Sequence, residues 1–246
     1  MSSDRHILEI TGTDARSFLQ GLVTNDVDKL DQGLVYAALL TPQGKYLADF
    51  FMVPAGDAIL IDVDRSLAEM LKMRLTMYKL RADVAISDAP LHLQRGLGPA
   101  PEGAFADPRD ASLGWRAYRP DPAPKDDTDW DALNIAAAIP TSGIELTSDS
   151  FILEMGFERL NGVDFRKGCY VGQEVTARMK HKTEVRKGLA LLSIEGNVTS
   201  GAAIERDGKT IGRIGTVGRS HALAHIRFDR MGDGATADGV AVAITG

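Results

Sequence analysis

The chain has one cysteine, Cys169, among 246 residues. A single thiol excludes an internal disulfide, and a reducing cytoplasm is the expected compartment. It also excludes a self-held iron–sulfur cluster, which usually needs about four protein ligands. Long apolar runs are missing as well. The best stretches, LVYAALL and IAAAI, fall far short of the roughly 20 residues of a membrane helix, so no membrane association is expected. MSSDRHILEI has no basic region followed by an apolar stretch, so no secretion signal is expected. Net positive charge is lacking. A formal charge of −6 disfavours non-specific attraction to phosphate, and no direct nucleic-acid binding is expected. Several motifs of common chemistry are absent too. There is no GxxxxGK[ST] loop, no GxSxG elbow and no HExxH, and GRIGTVG at 212–218 lacks dinucleotide-binding spacing. His221 and His225 are four apart, but they lie in an expected strand with no acid or thiol nearby in sequence. Their expected role is structural, not zinc-binding, and no metal site is expected.

What is present reads as an α+β chain. Apolar residues make up 44% and charged residues 25%, ordinary for a globular protein. HILEI, VYAALL, KYLADFFMV and AILIDV have strand character, and TPQGK between two of them suits a turn. ARSFLQ fits a short helix capped by Thr13-Asp14 and ending at Gly21. Leu67, Met70, Leu71, Leu75 and Tyr78 recur at helical spacing, with Asp64 as the cap, and predict a helix from Arg65 to Leu80. ADVAIS, HLQRGL and GWRAY are further strands, and DWDALNIAAAI is a helix stopped by Pro140. A helix is also expected from Ser150 to Arg159. After Lys187 short strands and frequent glycines take over, with Asp207-Gly208 a strong hairpin signal. The expected division is residues 1–187 and a small C-terminal β-barrel, 188–246.

The charge is unevenly placed. From Val163 to Ala190 seven Lys/Arg face three acids, about +4 in a chain of −6. Cys169 lies inside this stretch, in RKGCYVGQE. An isolated cysteine is usually an inert filler. Here Gly168 and Gly172 free the backbone, Arg166 and Lys167 favour a thiolate, and Gln173 and Glu174 make the surroundings polar. These features point to a working thiol.

KGCYVGQE at 167–174 resembles the signature of the YgfZ family, a branch of the glycine-cleavage T-protein (aminomethyltransferase) superfamily. FLQGLVTNDV at 18–27, LLTPQGKYLAD at 39–49 and LEMGFERLNGVDF at 153–165 resemble that superfamily's other blocks. The resemblance implies two interleaved α+β subdomains plus the barrel, forming a ring around a central channel that binds tetrahydrofolate. It implies support for iron–sulfur enzymes, including tRNA-modifying ones, through transient contact with those enzymes or with cluster-assembly proteins. Cys169, aided by Lys167, is the implied functional thiol. Glu154 matches the glutamate that receives the pterin in T-proteins, because a carboxylate accepts two adjacent N–H donors side by side. Asn25, Gln173 and Arg178 complete the implied folate site, and Lys180 and Lys182 suit the anionic tail. The alternative is a true aminomethyltransferase of glycine cleavage. Against it, ILIDVDRSLAEM offers Asp62, Asp64 and Glu69 but none in the VNA context of T-proteins.

Overall fold

The computed structural model describes residues 4–182 and 186–245. The Lys182 side chain, expected above to suit a folate tail, lies outside the described residues. The chain divides into two compact units, each made of two sequence segments: Met1–Thr128 with Glu158–Val175, and Asp129–Phe157 with Thr176–Gly246. No helix among the described residues is long and apolar enough to cross a membrane.

In the first unit the strands are β1 (Arg5–Thr11), β2 (Val35–Leu40), β3 (Tyr46–Ala55), β4 (Ala58–Asp64) and β5 (Ala85–Asp88). They form an antiparallel sheet in the order β2-β3-β4-β1-β5. Because side chains alternate along a strand, each strand sorts its residues to two faces. Leu8, Ile10, Ala37, Leu39, Phe50, Met52, Ile61 and Val63 join one apolar core with α1 (Ala15–Gln20) and α2 (Arg65–Lys79). Each large side chain buried there contributes about 1.5–3 kcal/mol. The alternate positions, Tyr36, Asp49, Phe51 and Asp62, are also buried. Asp62 and Phe51 meet side chains of β8 (Trp115–Arg119), which forms a second sheet with β6 (His92–Gly96) and β7 (Phe105–Ala106). One face of the main sheet is therefore oily and the other ionic.

The second unit holds α3 (Trp130–Ala136) and a closed barrel of β9 (Lys187–Ile194), β10 (Ala203–Arg206), β11 (Lys209–Val217), β12 (His221–Arg227), β13 (Thr236–Ala237) and β14 (Val240–Ile244). The strand order is β10-β11-β12-β9-β14-β13, closing on itself, which leaves no open edge. Ala190, Leu192, Ile194, Ile204, Ile214, Ala224 and Ile226 fill its interior, alternating small and large as a narrow barrel requires. Asp207 and Gly208 both have positive φ, 51° and 69°, and join β10 to β11 as the hairpin turn expected of Asp-Gly. The expected α+β class with a C-terminal barrel is what is observed.

Four local expectations are corrected. Residues 150–159 form successive turns and no helix. Met155 N reaches Phe151 O four residues back, but Gly156 N bonds Leu153 O and Phe157 N bonds Ile152 O, so the four-residue ladder does not propagate, and Gly156 turns left-handed at φ 78°. The helix starting at Trp130 ends at Ala136, before Pro140 is reached. Asp14 does not cap α1 through its side chain, which instead accepts from Asp83 N at 2.8 Å. Finally, a helix α4 (Gln173–Lys182) follows the cysteine loop directly, where none was anticipated.

Candidate functional site

The cysteine loop is stitched down on both sides of the thiol. Residues 162–167 lie along the corner after α1. Thr24 Oγ1 donates to Gly162 O at 2.7 Å, and Asp164 N donates to Thr24 O at 3.0 Å. Asp164 also accepts from Arg166 N at 2.7 Å and pairs with Lys29 at 2.6 Å. Lys167 is buried at 7% exposure, and its ammonium donates to the carbonyls of Gln20 (2.8 Å), Val23 (2.6 Å) and Asn25 (3.0 Å). Three N–H donors meet three acceptors. Burial lowers its pKa to about 8, so the ammonium form still dominates at neutral pH. Tyr170, also buried, carries its ring 5.2 Å from Lys167 Nζ. Between these two anchors Gly168 and Cys169 are exposed.

The far side of the loop is fixed by glycine. Gly172 sits at φ 85°, and a Cβ there would lie 2.7 Å from Thr41 O. Gly44, in the TPQGK turn at φ 74°, would clash likewise with Val175 at 2.8 Å. Only two bare glycines let the TPQGK turn and the cysteine loop touch. Two blocks far from the loop in sequence, 18–27 and 39–49, thus grip its opposite ends.

Lys167 was expected to favour the thiolate. Its three donors are all committed to carbonyls, so its ammonium, still charged, also holds the loop. Replacing it with methionine strands three buried acceptors and is expected to lower stability by about 1–3 kcal/mol. Urea unfolding would measure this, with faster amide exchange across 166–170 as the local signature. An unchanged midpoint would show that the clamp holds nothing. Asn25, expected in the folate site, has its side chain engaged within the protein. Its amide donates to Tyr36 O (2.8 Å) and Asn161 O (2.6 Å), and its oxygen accepts from Asp26 N and Lys29. At 2% exposure it has no donor left for a ligand. Gln173, half-buried, opens α4, and Arg178 and Lys180 are exposed further along it.

Glu154 belongs to the second unit, within the turns preceding Phe157. Its backbone carbonyl accepts from Leu189 N at 2.7 Å on β9, which fixes the residue against the barrel. Its side chain is 19% exposed, and Oε2 lies 3.1 Å from His225 Nε2 on β12. The sequence placed His225 in a strand, as observed, but no spacing rule links it to a glutamate 71 residues earlier. A partly exposed carboxylate with one oxygen engaged fits an acceptor for a pterin's paired N–H groups.

The ionic face of the main sheet was not foreseen. Asp62, fully buried, accepts from Arg5 Nε (2.6 Å), Arg116 Nη2 (2.6 Å) and the Tyr118 hydroxyl (2.8 Å). Burial alone would raise its pKa. Arg5 and Arg116 outweigh burial and bring it to about 2. Asp107 holds Arg109 at 2.8 Å and Arg116 at 3.4 Å, and Asp49 accepts from the hydroxyls of Tyr36 and Tyr46. The Arg116 and Arg109 guanidinium groups stack 4.0 and 4.7 Å from the Phe51 ring centre. Asp62 is therefore ionised at neutral pH and serves as a structural anion. Asp64 caps α2 through Ser66 N at 2.9 Å, and Glu69 is exposed on α2. Among the described residues no group of three or more His, Cys, Asp or Glu side chains is arranged to hold a metal ion.

Comparison with known proteins gives three findings. Residues 186–245 match the family described as CAF17, C-terminal beta-barrel domain. Over 230 residues the chain is 34% identical to an iron-sulfur cluster assembly factor IBA57 homolog, mitochondrial, of Mycosarcoma maydis, covering 77% of this chain and 55% of that protein. The human iron-sulfur cluster assembly factor IBA57, mitochondrial, is 29% identical over 254 residues, covering 85% of this chain and 71% of that protein. The homolog of Pyricularia oryzae is 30% identical over 213 residues, covering 74% and 54%. The chain thus spans about half the length of the two fungal relatives. Among solved structures, glycine cleavage system aminomethyltransferase T from Bartonella henselae superposes with a TM-score of 0.77. That match covers 99% of this chain and 83% of that one at 13% identity, a likeness of fold alone. The expected α+β fold with a C-terminal barrel stands, while the relatives carry the IBA57 name rather than YgfZ. The cytoplasmic expectation is overturned, because these relatives are mitochondrial proteins. The cysteine count reports on disulfide use and does not distinguish one reducing compartment from another.

Proposed function

We propose that this chain is an IBA57-type accessory factor of iron–sulfur cluster assembly, binding a reduced folate and acting through Cys169. The observation that carries this reading is the exposed thiol held outward between two buried anchors, Lys167 and Tyr170. A filler cysteine would point inward. The Cys169 thiol, once its proton has passed to solvent, can donate a sulfur lone pair to an iron of a partner's cluster, displacing the partner's own thiolate there, which leaves and takes up a proton from solvent. One exposed thiol cannot keep a cluster, so the contact is a transient hand-over with a client enzyme or an assembly protein. Tetrahydrofolate is the proposed ligand, taken up by the region 1–187, with 188–246 as the barrel that backs Glu154. Glu154 accepts the pterin's N–H groups, while Gln173 and Arg178 lie along the helix that leaves the thiol loop. Client enzymes include tRNA-modifying ones in this reading.

The direct test is complementation. Wild-type protein is expected to restore iron–sulfur enzyme activity in a strain lacking its own IBA57-type factor, and failure to restore any such activity would overturn the assignment. The folate part is read separately by calorimetry with tetrahydrofolate. Binding is expected, with a loss of tenfold or more in affinity for Glu154→Gln, about 1.4 kcal/mol for hydrogen bonds to an ionised acceptor. Equal affinity of the variant would remove Glu154 from the site.

A further inference from the structure

The outer face of α2 is apolar where a solvated helix is normally polar. Met73, Met77 and Leu80 are 56%, 63% and 88% exposed. Spaced four and three apart, they form one stripe, extended by the partly buried Met70. The core is served by the opposite side, through Ala68, Leu71 and Leu75. The stripe is therefore surplus to folding. Leu80 makes the point most sharply. It ends the helix at φ 47°, a left-handed position that helices normally give to glycine. A leucine there strains the backbone, and its side chain gains almost no packing in return.

The helix itself carries an excess of cations. From Arg65 to Arg81 five Lys/Arg face only Glu69, about +4 in a chain of −6. Arg65 and Lys72 are engaged with Asp4 and Asp88. Arg74 and Arg81 make no ion pair among the described residues, and Arg74 Nε is buried without a hydrogen-bond partner. Arg74 flanks Met70 and Met77 on the helix surface, and Arg81 follows Leu80.

We infer that this face of α2 docks an acidic amphipathic helix of a partner protein. Methionine side chains adapt to the apolar ridge of such a helix, and Arg74 and Arg81 pair with carboxylates along its edge. Met and Arg are residue types that protein interfaces favour. An anionic membrane is the poorer occupant, since membrane-surface helices bury a broader apolar face with aromatic residues, and this stripe has none. The inference is independent of the folate and thiol readings.

The test uses the intact protein and a fluorescent synthetic helix with leucines at i, i+3, i+4 and i+7 and glutamates on both flanks. Anisotropy is expected to show saturable binding, weakened at least tenfold by Met77→Glu and by Arg74→Glu and reduced by added salt. A peptide with lysines in place of the glutamates is expected not to bind. Leu80→Gly is expected to raise Tm, through relief of the left-handed leucine, and yet to weaken binding. In parallel, a photo-crosslinker at position 77 in cells is expected to capture a protein through an acidic helical segment, and one at Asp57 is not. Binding to equimolar phosphatidylserine–phosphatidylcholine vesicles in preference to the acidic peptide would overturn the inference. So would the absence of both peptide binding and crosslinks at position 77, or acidic-peptide binding that Met77→Glu and Arg74→Glu leave unchanged.

Discussion

Cys169→Ala and Cys169→Ser are expected to reduce rescue of iron–sulfur enzyme activity to the level of an empty vector, while the protein folds normally. The two halves of this result have separate physical grounds. Cys169 is exposed, and no packing depends on its sulfur. Surface substitutions of this kind usually change stability by no more than about 0.5 kcal/mol. Lys167, Tyr170 and Gly172 hold the loop whether or not the thiol is there. The chain also has no second cysteine to take over. Serine is the stricter control, because it keeps the size and polarity but is a far poorer ligand for soft metals. Matched Tm values and calorimetric folate binding would establish that only the chemistry was removed. Full rescue by either variant would end the thiol reading and leave the fold and the folate proposal standing.

The second large effect concerns the ionic face of the main sheet. Asp62→Asn leaves Arg5 and Arg116 charged, buried and without their shared anion. Removing one partner from a buried ion pair costs about 3–5 kcal/mol, a large share of a domain's typical stability of about 5–15 kcal/mol. Denaturant unfolding should show a lowered midpoint with a similar slope. Acid sensitivity follows from the same contacts. The Asp62 pKa is depressed to about 2 from its ordinary value of 3.8, so the unfolded state binds the proton first as pH falls. Its stabilising contribution is complete above about pH 4 and is lost progressively toward pH 2, by an amount on the order of 2 kcal/mol. Wild-type protein should therefore lose stability over this range more steeply than Asp62→Asn, which has no carboxylate to protonate there. Parallel acid profiles for the two proteins would contradict the network as described.

Much of the fold was readable in advance because it rests on local periodicity. The strands from β1 to β4, α2 with its Asp64 cap, and the Asp207-Gly208 hairpin follow from alternation, 3.6-residue spacing and turn chemistry. The error at 150–159 has a physical cause. LEMGFERL has apolar spacing that suits a helix, but Gly156 at φ 78° and the bond from Leu189 to the Glu154 carbonyl draw the backbone into turns. Helix propensity is a weak prior that tertiary contacts override. The ionic cluster was hidden for a related reason. Asp62 sits in ILIDV, a run that reads as an ordinary strand, and its partners Arg5, Arg116 and Tyr118 come from 54 to 57 residues away.

The amino-acid order alone determined that there is one thiol, that glycines and cations surround it, and that a small β-barrel ends the chain. These are properties of composition and short-range pattern, which need no knowledge of what lies nearby in space. Only the tertiary structure decided what the neighbours do. It made Lys167 a three-carbonyl clamp, spent Asn25 on backbone groups, and gave Glu154 a histidine partner from the barrel. Hydrogen bonds reach about 3 Å whatever the sequence separation. A side chain's role is therefore settled by whichever distant segments folding brings within that reach.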